Sequence, residues 1–198
     1  EIKGPDALQD YGIVPVLWLR ADRGVTQMVG GSGVEHWADQ SPRGADFAVA
    51  VPVVMPDLVG QAIGAYPAVR FDGTDDYLLS VGGTSAFRDL NTLSVFVVAR
   101  PGMTTPGARI LDLGTGSGAQ RNDDAFFLAH ADPDELEVGW YRGATFNGGI
   151  SAGSGSYVEE ETQLFVVQIE CCAGSPSLAI RRNGVELVSQ STTSGEVP

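Results

Sequence analysis

The sequence predicts an all-β chain, an antiparallel two-sheet β-sandwich with almost no helix, and three observations carry that prediction. Short apolar runs alternate inward and outward positions, most clearly over Leu164–Cys172. There Phe165, Val167, Ile169 and Cys171 read as one face and Gln168 and Glu170 as the other. Gly 26 and Pro 11 in 198 residues punctuate the chain often enough for many short strands joined by turns. A sustained 3.6-residue period is absent, and Thr84–Leu90 is the best candidate for a helical turn.

Taken in order, residues 1–12 read as an N-terminal arm, and residues 13–198 as a single domain with no internal linker or repeat. Ile13–Leu19 (IVPVLWL) reads as a strand, with Pro15 placing it near an edge. Arg20–Gly33 is a polar loop, Val34–Trp37 a short apolar run, and Ala38–Gly44 a turn. Ala45–Val51 is a strand broken by Pro52 and Pro56. Tyr66–Ser80 follows as strand, tight acidic turn, strand. Its Asp72-Gly73-Thr74-Asp75-Asp76 suits a turn because Gly73 tolerates positive φ and Asp side chains bond nearby amides.

Leu93–Arg100 (LSVFVVAR) is apolar on both faces and predicts a central, covered strand. Arg109–Gly114 and Ala125–Ala131 are further strands around the loop Thr115–Asp124. Glu135–Arg142 and Ala144–Ser151 predict a hairpin around Gly143. Ser177–Arg182 and Val185–Gln190 predict another across Asn183-Gly184, the strongest two-residue hairpin signal in the chain.

The charge balance excludes some partners. With 12 Lys and Arg against 25 Asp and Glu, the net charge of −13 disfavours a nucleic-acid backbone or an anionic membrane. It suits a hard cation such as Ca²⁺. No apolar run has the length of a membrane-spanning helix. The chain opens at Glu1, which fits a mature product after signal removal or an excised piece. The two cysteines, Cys171 and Cys172, are adjacent. They read as a buried thiol beside a partly exposed one, as a vicinal disulfide bracing the turn at Ala173-Gly174, or as an intermolecular bridge through Cys172.

The motif RFDGTDDYL, preceded by LWLRADRGV…HWADQSPRGADF and followed by LSVFVVARP, resembles the concanavalin A-like (laminin G-like) jelly-roll family. The resemblance runs in order from about Val16 to Gln190 and implies a jelly roll in an extracytoplasmic setting, secreted, periplasmic or on a cell surface. Against that family's pattern the chain stops at Pro198 before the last strands. The expected consequence is an open sheet edge, completed by the arm or by a partner polypeptide. Trp18 and Trp37 match the family's tryptophans and are expected to be structural.

The candidate chemistry follows from residue types and spacing. Glucanases of the resembled family carry E-x-D-x-x-E on one strand, which this chain lacks. Asp132-Pro133-Asp134-Glu135-Leu136-Glu137 approaches it, but Leu136 and Gly139 fall where further carboxylates are needed. Asp72, Asp75 and Asp76 are the candidate metal ligands, for Ca²⁺, with Asp112, Asp123 and Asp124 flanking the Gly-rich loop. The bland alternative is that Asp72 and Asp75 bond turn amides. Trp140, Tyr141 and Phe146 are candidate ligand-binding rings for a sugar. His130 reads as a satisfied surface histidine.

These readings predict a non-catalytic recognition module that binds a glycan or a protein surface, with possible help from Ca²⁺. One alternative is a structural accessory subunit whose sheet a partner chain completes. The other is a polysaccharide hydrolase or lyase acting through Asp134 or Glu137.

Overall fold

The computed structural model describes residues 12–82, 92–102, 107–113, 125–132, 134–142, 145–170 and 177–191. The expected helical turn at Thr84–Leu90, the loop Thr115–Asp124, the Cys171-Cys172 pair and nearly all of the N-terminal arm lie outside those residues. The chain is all-β, built of antiparallel sheets, with one 3-10 turn at Pro52–Val54 among the described residues. It divides into two compact units, Glu1–Arg88 and Asp89–Pro198.

In the first unit the strands are β1 (Val25–Gln27), β2 (Val34–Trp37), β3 (Phe47–Ala48), β4 (Asp57–Ile63), β5 (Tyr66–Arg70) and β6 (Leu79–Ser80). One sheet has the order β1-β2-β3-β6, and β4 and β5 form a separate ribbon. The strands flanking the acidic turn are therefore not partners: β5 pairs with β4, and β6 pairs with β3. The turn carries the chain from one sheet to the other.

Three expectations change here. Ile13–Leu19 is not a strand, because its main-chain bonding goes elsewhere. The Trp18 N–H donates to Asp39 Oδ1 at 2.8 Å, and Trp18 C=O accepts from the Gln40 N–H at 2.8 Å. Ala45–Val51 shrinks to Phe47–Ala48, since the Ala45 N–H bonds Asp39 Oδ2 at 2.8 Å. One strand sits where loop was expected, and another in a stretch to which no element was assigned. β1 lies within Arg20–Gly33, and β4 follows Pro56 with a register shift between Val59 and Ile63 and Gln61 at φ 54. Such a break hides the two-residue period from a sequence reading.

In the second unit the strands are β7 (Thr92–Ala99), β8 (Arg109–Asp112), β9 (Ala125–Asp132), β10 (Glu135–Arg142), β11 (Thr145–Ser151), β12 (Gln163–Glu170), β13 (Ser177–Arg182) and β14 (Val185–Ser191). They form two four-stranded sheets, β11-β10-β9-β8 and β14-β13-β12-β7. Facing residues fill the space between the sheets. Phe126, Leu128, Leu136, Val138 and Ile150 come from one, and Phe165, Val167, Ile169, Leu178 and Ile180 from the other. The alternation in β12 is as the sequence predicts, with Phe165, Val167 and Ile169 buried. The Asn183-Gly184 hairpin forms with φ of 49 and 84, the two positive values of a type I′ turn. Asn183 also clamps β12, since its Oδ1 accepts the Leu164 N–H at 2.9 Å and its own N–H donates to Leu164 C=O at 2.8 Å.

Candidate functional site

Strand β7 overturns the expectation of a central strand covered on both sides. It pairs with β12 alone among the described residues and ends its sheet. Leu93, Val95, Val97 and Ala99 turn toward the core. On the other face Phe96 is 69% and Val98 58% exposed, and across the register Leu164 of β12 is 36% exposed. The sequence of β7, TLSVFVVA, contains no charged residue. Edge strands are ordinarily blunted by charge or proline, as β14 at the opposite edge is by Glu186. Periodicity misleads here because an apolar run on both faces looks the same in a buried strand and in a sticky edge.

Acidic groups stand at both ends of this apolar strip. Glu170 lies across from Thr92 at one end and is exposed. At the other, the Glu160 N–H donates to Pro101 C=O at 2.7 Å, which brings the exposed Glu159–Glu161 turn beside the end of β7. The nearby cations are already engaged. Arg100 pairs with Glu160 at 2.9 Å, and Arg181 with Glu186 at 2.9 Å and with Gln168.

The acidic turn of the first unit is a second candidate. Carboxylate oxygens of Asp72, Asp75 and Asp76 lie within 4.8 Å of one another. The turn amides are satisfied as well. Asp72 Oδ1 accepts from the N–H groups of Thr74, Asp75 and Asp76 at 2.8, 3.2 and 3.4 Å, and the Asp72 N–H donates to Asp76 Oδ2 at 2.8 Å. The Thr74 amide, ahead of the others, holds the Asp72 carboxyl below its ordinary pKa. Partial burial, followed by the nearby carboxylates of Asp72, Asp75 and Asp57, pushes Asp76 up. These bonds use one oxygen each of Asp72 and Asp76, so the remaining oxygens supply only part of the roughly six to eight that Ca²⁺ takes.

The other predicted residues are dispersed. Asp134 Oδ2 accepts from Ser154 Oγ and the Gly155 N–H, both at 2.8 Å, and so fastens a loop to the start of β10. Glu135 bonds Ser151 Oγ, and Glu137 sits across from Ala129 and Ser151. Trp140 and Tyr141 fall on β10 and Phe146 on β11, with Tyr141 opposite Phe146 in the register; their side chains lie outside the described residues. Asp123 and Asp124 lie outside them too.

His130 is a correction. It is 6% exposed, in the core rather than on the surface, and its Nδ1 has no hydrogen-bond partner among the described residues. Alternation along β9 puts it on the same face as Phe126 and Leu128.

Asp39 is a residue whose part the sequence reading missed. Its carboxylate accepts from the N–H groups of Trp18, Ser41 and Ala45 and from Ser41 Oγ, all within 2.6–2.8 Å. Burial pushes this carboxyl up, but the Ser41, Trp18 and Ala45 donors together outweigh burial and the net shift is downward. The signal was the D-x-S spacing of Asp39-Gln40-Ser41, which favours an Asx-type turn.

With this geometry in hand, comparison adds no relative: no protein-family model, no curated protein and no solved structure matches the chain.

Proposed function

We propose that the chain is a non-catalytic recognition module that binds another protein, and that the binding surface is the β7 edge with its outward face. The observation that carries this reading is the exposure of Phe96 and Val98 on an edge strand without charge. An unpaired edge offers a row of N–H and C=O groups, and an exposed apolar strip beside it rewards a partner that covers both. The occupant is an extended segment that adds as a strand, apolar along its middle and basic at its ends. Its basic ends answer Glu170 on one side and Glu159–Glu161 on the other. The laminin G-like resemblance of the sequence fits a binding role, though that architecture hosts lectins, enzymes and scaffolds alike.

The test uses the full chain and a synthetic peptide of alternating valine and threonine with two lysines at each end. Saturable binding that weakens with salt and falls at least about tenfold in Phe96→Lys supports the reading. The reading fails if the peptide does not bind, or if Phe96→Lys leaves its affinity unchanged.

A second reading, Ca²⁺ capture, draws on the clustering of Asp72, Asp75 and Asp76. Calorimetric titration with Ca²⁺ tests it: heat that disappears in Asp75→Asn supports it, and no heat with the wild type removes it.

A further inference from the structure

We propose that His130 is an acid-sensitive latch in the second unit: when its imidazole takes up a proton the ring has to leave the core, and the end of the sandwich over it opens. The site is built to hold a neutral ring. The imidazole meets the Tyr157 ring edge-on, with centroids 4.9 Å apart and planes at 81°, and Tyr157 is itself buried. The backbone of His130 is fixed on both sides. Its N–H donates to Ala108 C=O at 2.9 Å, its C=O accepts from Gly107 N–H at 2.6 Å, and the register sets it against Leu136.

The ring therefore cannot adjust without disturbing its neighbour. The ring it meets, Tyr157, follows directly on a residue tied to β10. Buried Ser156 Oγ accepts the Leu136 N–H at 2.7 Å and donates to Asp134 C=O at 3.1 Å, and the Ser156 N–H donates to the same carbonyl at 3.0 Å.

A doubly protonated imidazole needs an acceptor at each nitrogen, and Nδ1 has none among the described residues. Among the described residues, the charged groups on neighbouring elements do not compensate. On β9 Asp132 is exposed. On β10 Glu135 is bonded to Ser151, and Glu137 alternates with Leu136 and so lies on the opposite face. Arg109 of β8 stacks on Phe127, also on the far face of β9. Asp134 is held by Ser154 and Gly155. From the facing sheet, Arg182 donates to Gly155 C=O at 2.9 Å and brings a positive charge.

Burial lowers the imidazole's pKa from its ordinary 6.5, which fixes the sign. The unfolded chain takes up the proton as pH falls below 6.5 and the folded chain resists until a lower pH. Stability present above 6.5 is therefore lost between those two values. Only two histidines are present, and the other, His36, belongs to the first unit and pairs with Asp46 at 3.1 Å.

The test is urea unfolding of the full chain at pH 7.5 and 5.2, followed by hydrogen exchange of residues 125–132 and 150–158. Wild type and His36→Phe lose unfolding midpoint on acidification. The folding equilibrium falls about tenfold for each pH unit below 6.5 until the folded value is reached. His130→Phe, which keeps a ring against Tyr157, loses none of it. Equal acid sensitivity in wild type and His130→Phe overturns the proposal. Should His130→Phe not fold, nuclear magnetic resonance of the wild-type imidazoles decides. His130 still neutral at pH 5.5 upholds the latch; His130 titrating at 6.5 or above overturns it.

Discussion

In the second unit two sheets close on a core in which Phe165, Leu128, Leu136, Ile180 and Val167 are almost wholly removed from water. Among its described residues the first unit buries few large apolar side chains, chiefly Val34, Val49 and Met55. It ties its loops instead with bonds made by side-chain carboxylates. Asp39 gathers the amides of Trp18, Ser41 and Ala45; Asp46 takes the Asp39 N–H at 2.9 Å; Ser32 and Arg70 meet on Asp57. Burial of apolar area is broadly distributed and tolerates shifts, whereas a buried carboxylate concentrates several bonds in one group. The two units should therefore break differently.

The largest effect belongs to the apolar core. Phe165→Ala should destabilise the second unit by about 3–5 kcal/mol, read as a loss of unfolding midpoint in residues 89–198 by hydrogen exchange. Asp39→Ala should follow, costing the first unit about 2–4 kcal/mol, because it leaves three amide donors without their acceptor. If Asp39→Ala is silent while Phe165→Ala is not, the contrast between the units is wrong.

Acid sharpens the same contrast. Asp39 has a folded pKa below the ordinary 3.8, so the stability it contributes is present above 3.8 and is lost as pH falls through the lower folded value. The second unit should weaken earlier, below 6.5, through His130. Exchange rates followed unit by unit across an acid series separate the two thresholds.

Smaller effects test local geometry. Gly184→Ala, at φ 84 with open space around a Cβ, should cost about 1 kcal/mol from backbone strain alone. Phe96→Ser should change stability within about 0.5 kcal/mol, since the ring is mostly in water, while removing peptide binding. A large loss of stability in Phe96→Ser would mean that the ring serves the fold and not recognition.

How legible each unit was in the sequence follows from the same difference. The alternation of Phe165, Val167 and Ile169 and the Asn183-Gly184 turn are periodic or local signals, and the second unit carries both. In the first unit the deciding bonds run from Asp39 to Trp18, 21 residues away, and no period marks such a pair. They convert the apolar Ile13–Leu19 from a strand into an irregular segment pinned by a carboxylate. The same limit applies to the candidate site. The β7 sequence declares its apolar character but not that it ends a sheet, because position in a sheet depends on pairings with distant segments. His130 was misplaced because a lone polar residue in an apolar strand reads as an outward position until its neighbours are known. The acidic turn was legible because its bonds are local, within four residues.

The most direct measurement is amide hydrogen exchange of the full chain with and without the lysine-ended peptide. Binding at the β7 edge predicts slowed exchange at residues 92–99, little change at 72–76, and loss of that protection in Phe96→Lys. Protection confined to the acidic turn, or to β14 at the other edge, would contradict recognition through β7.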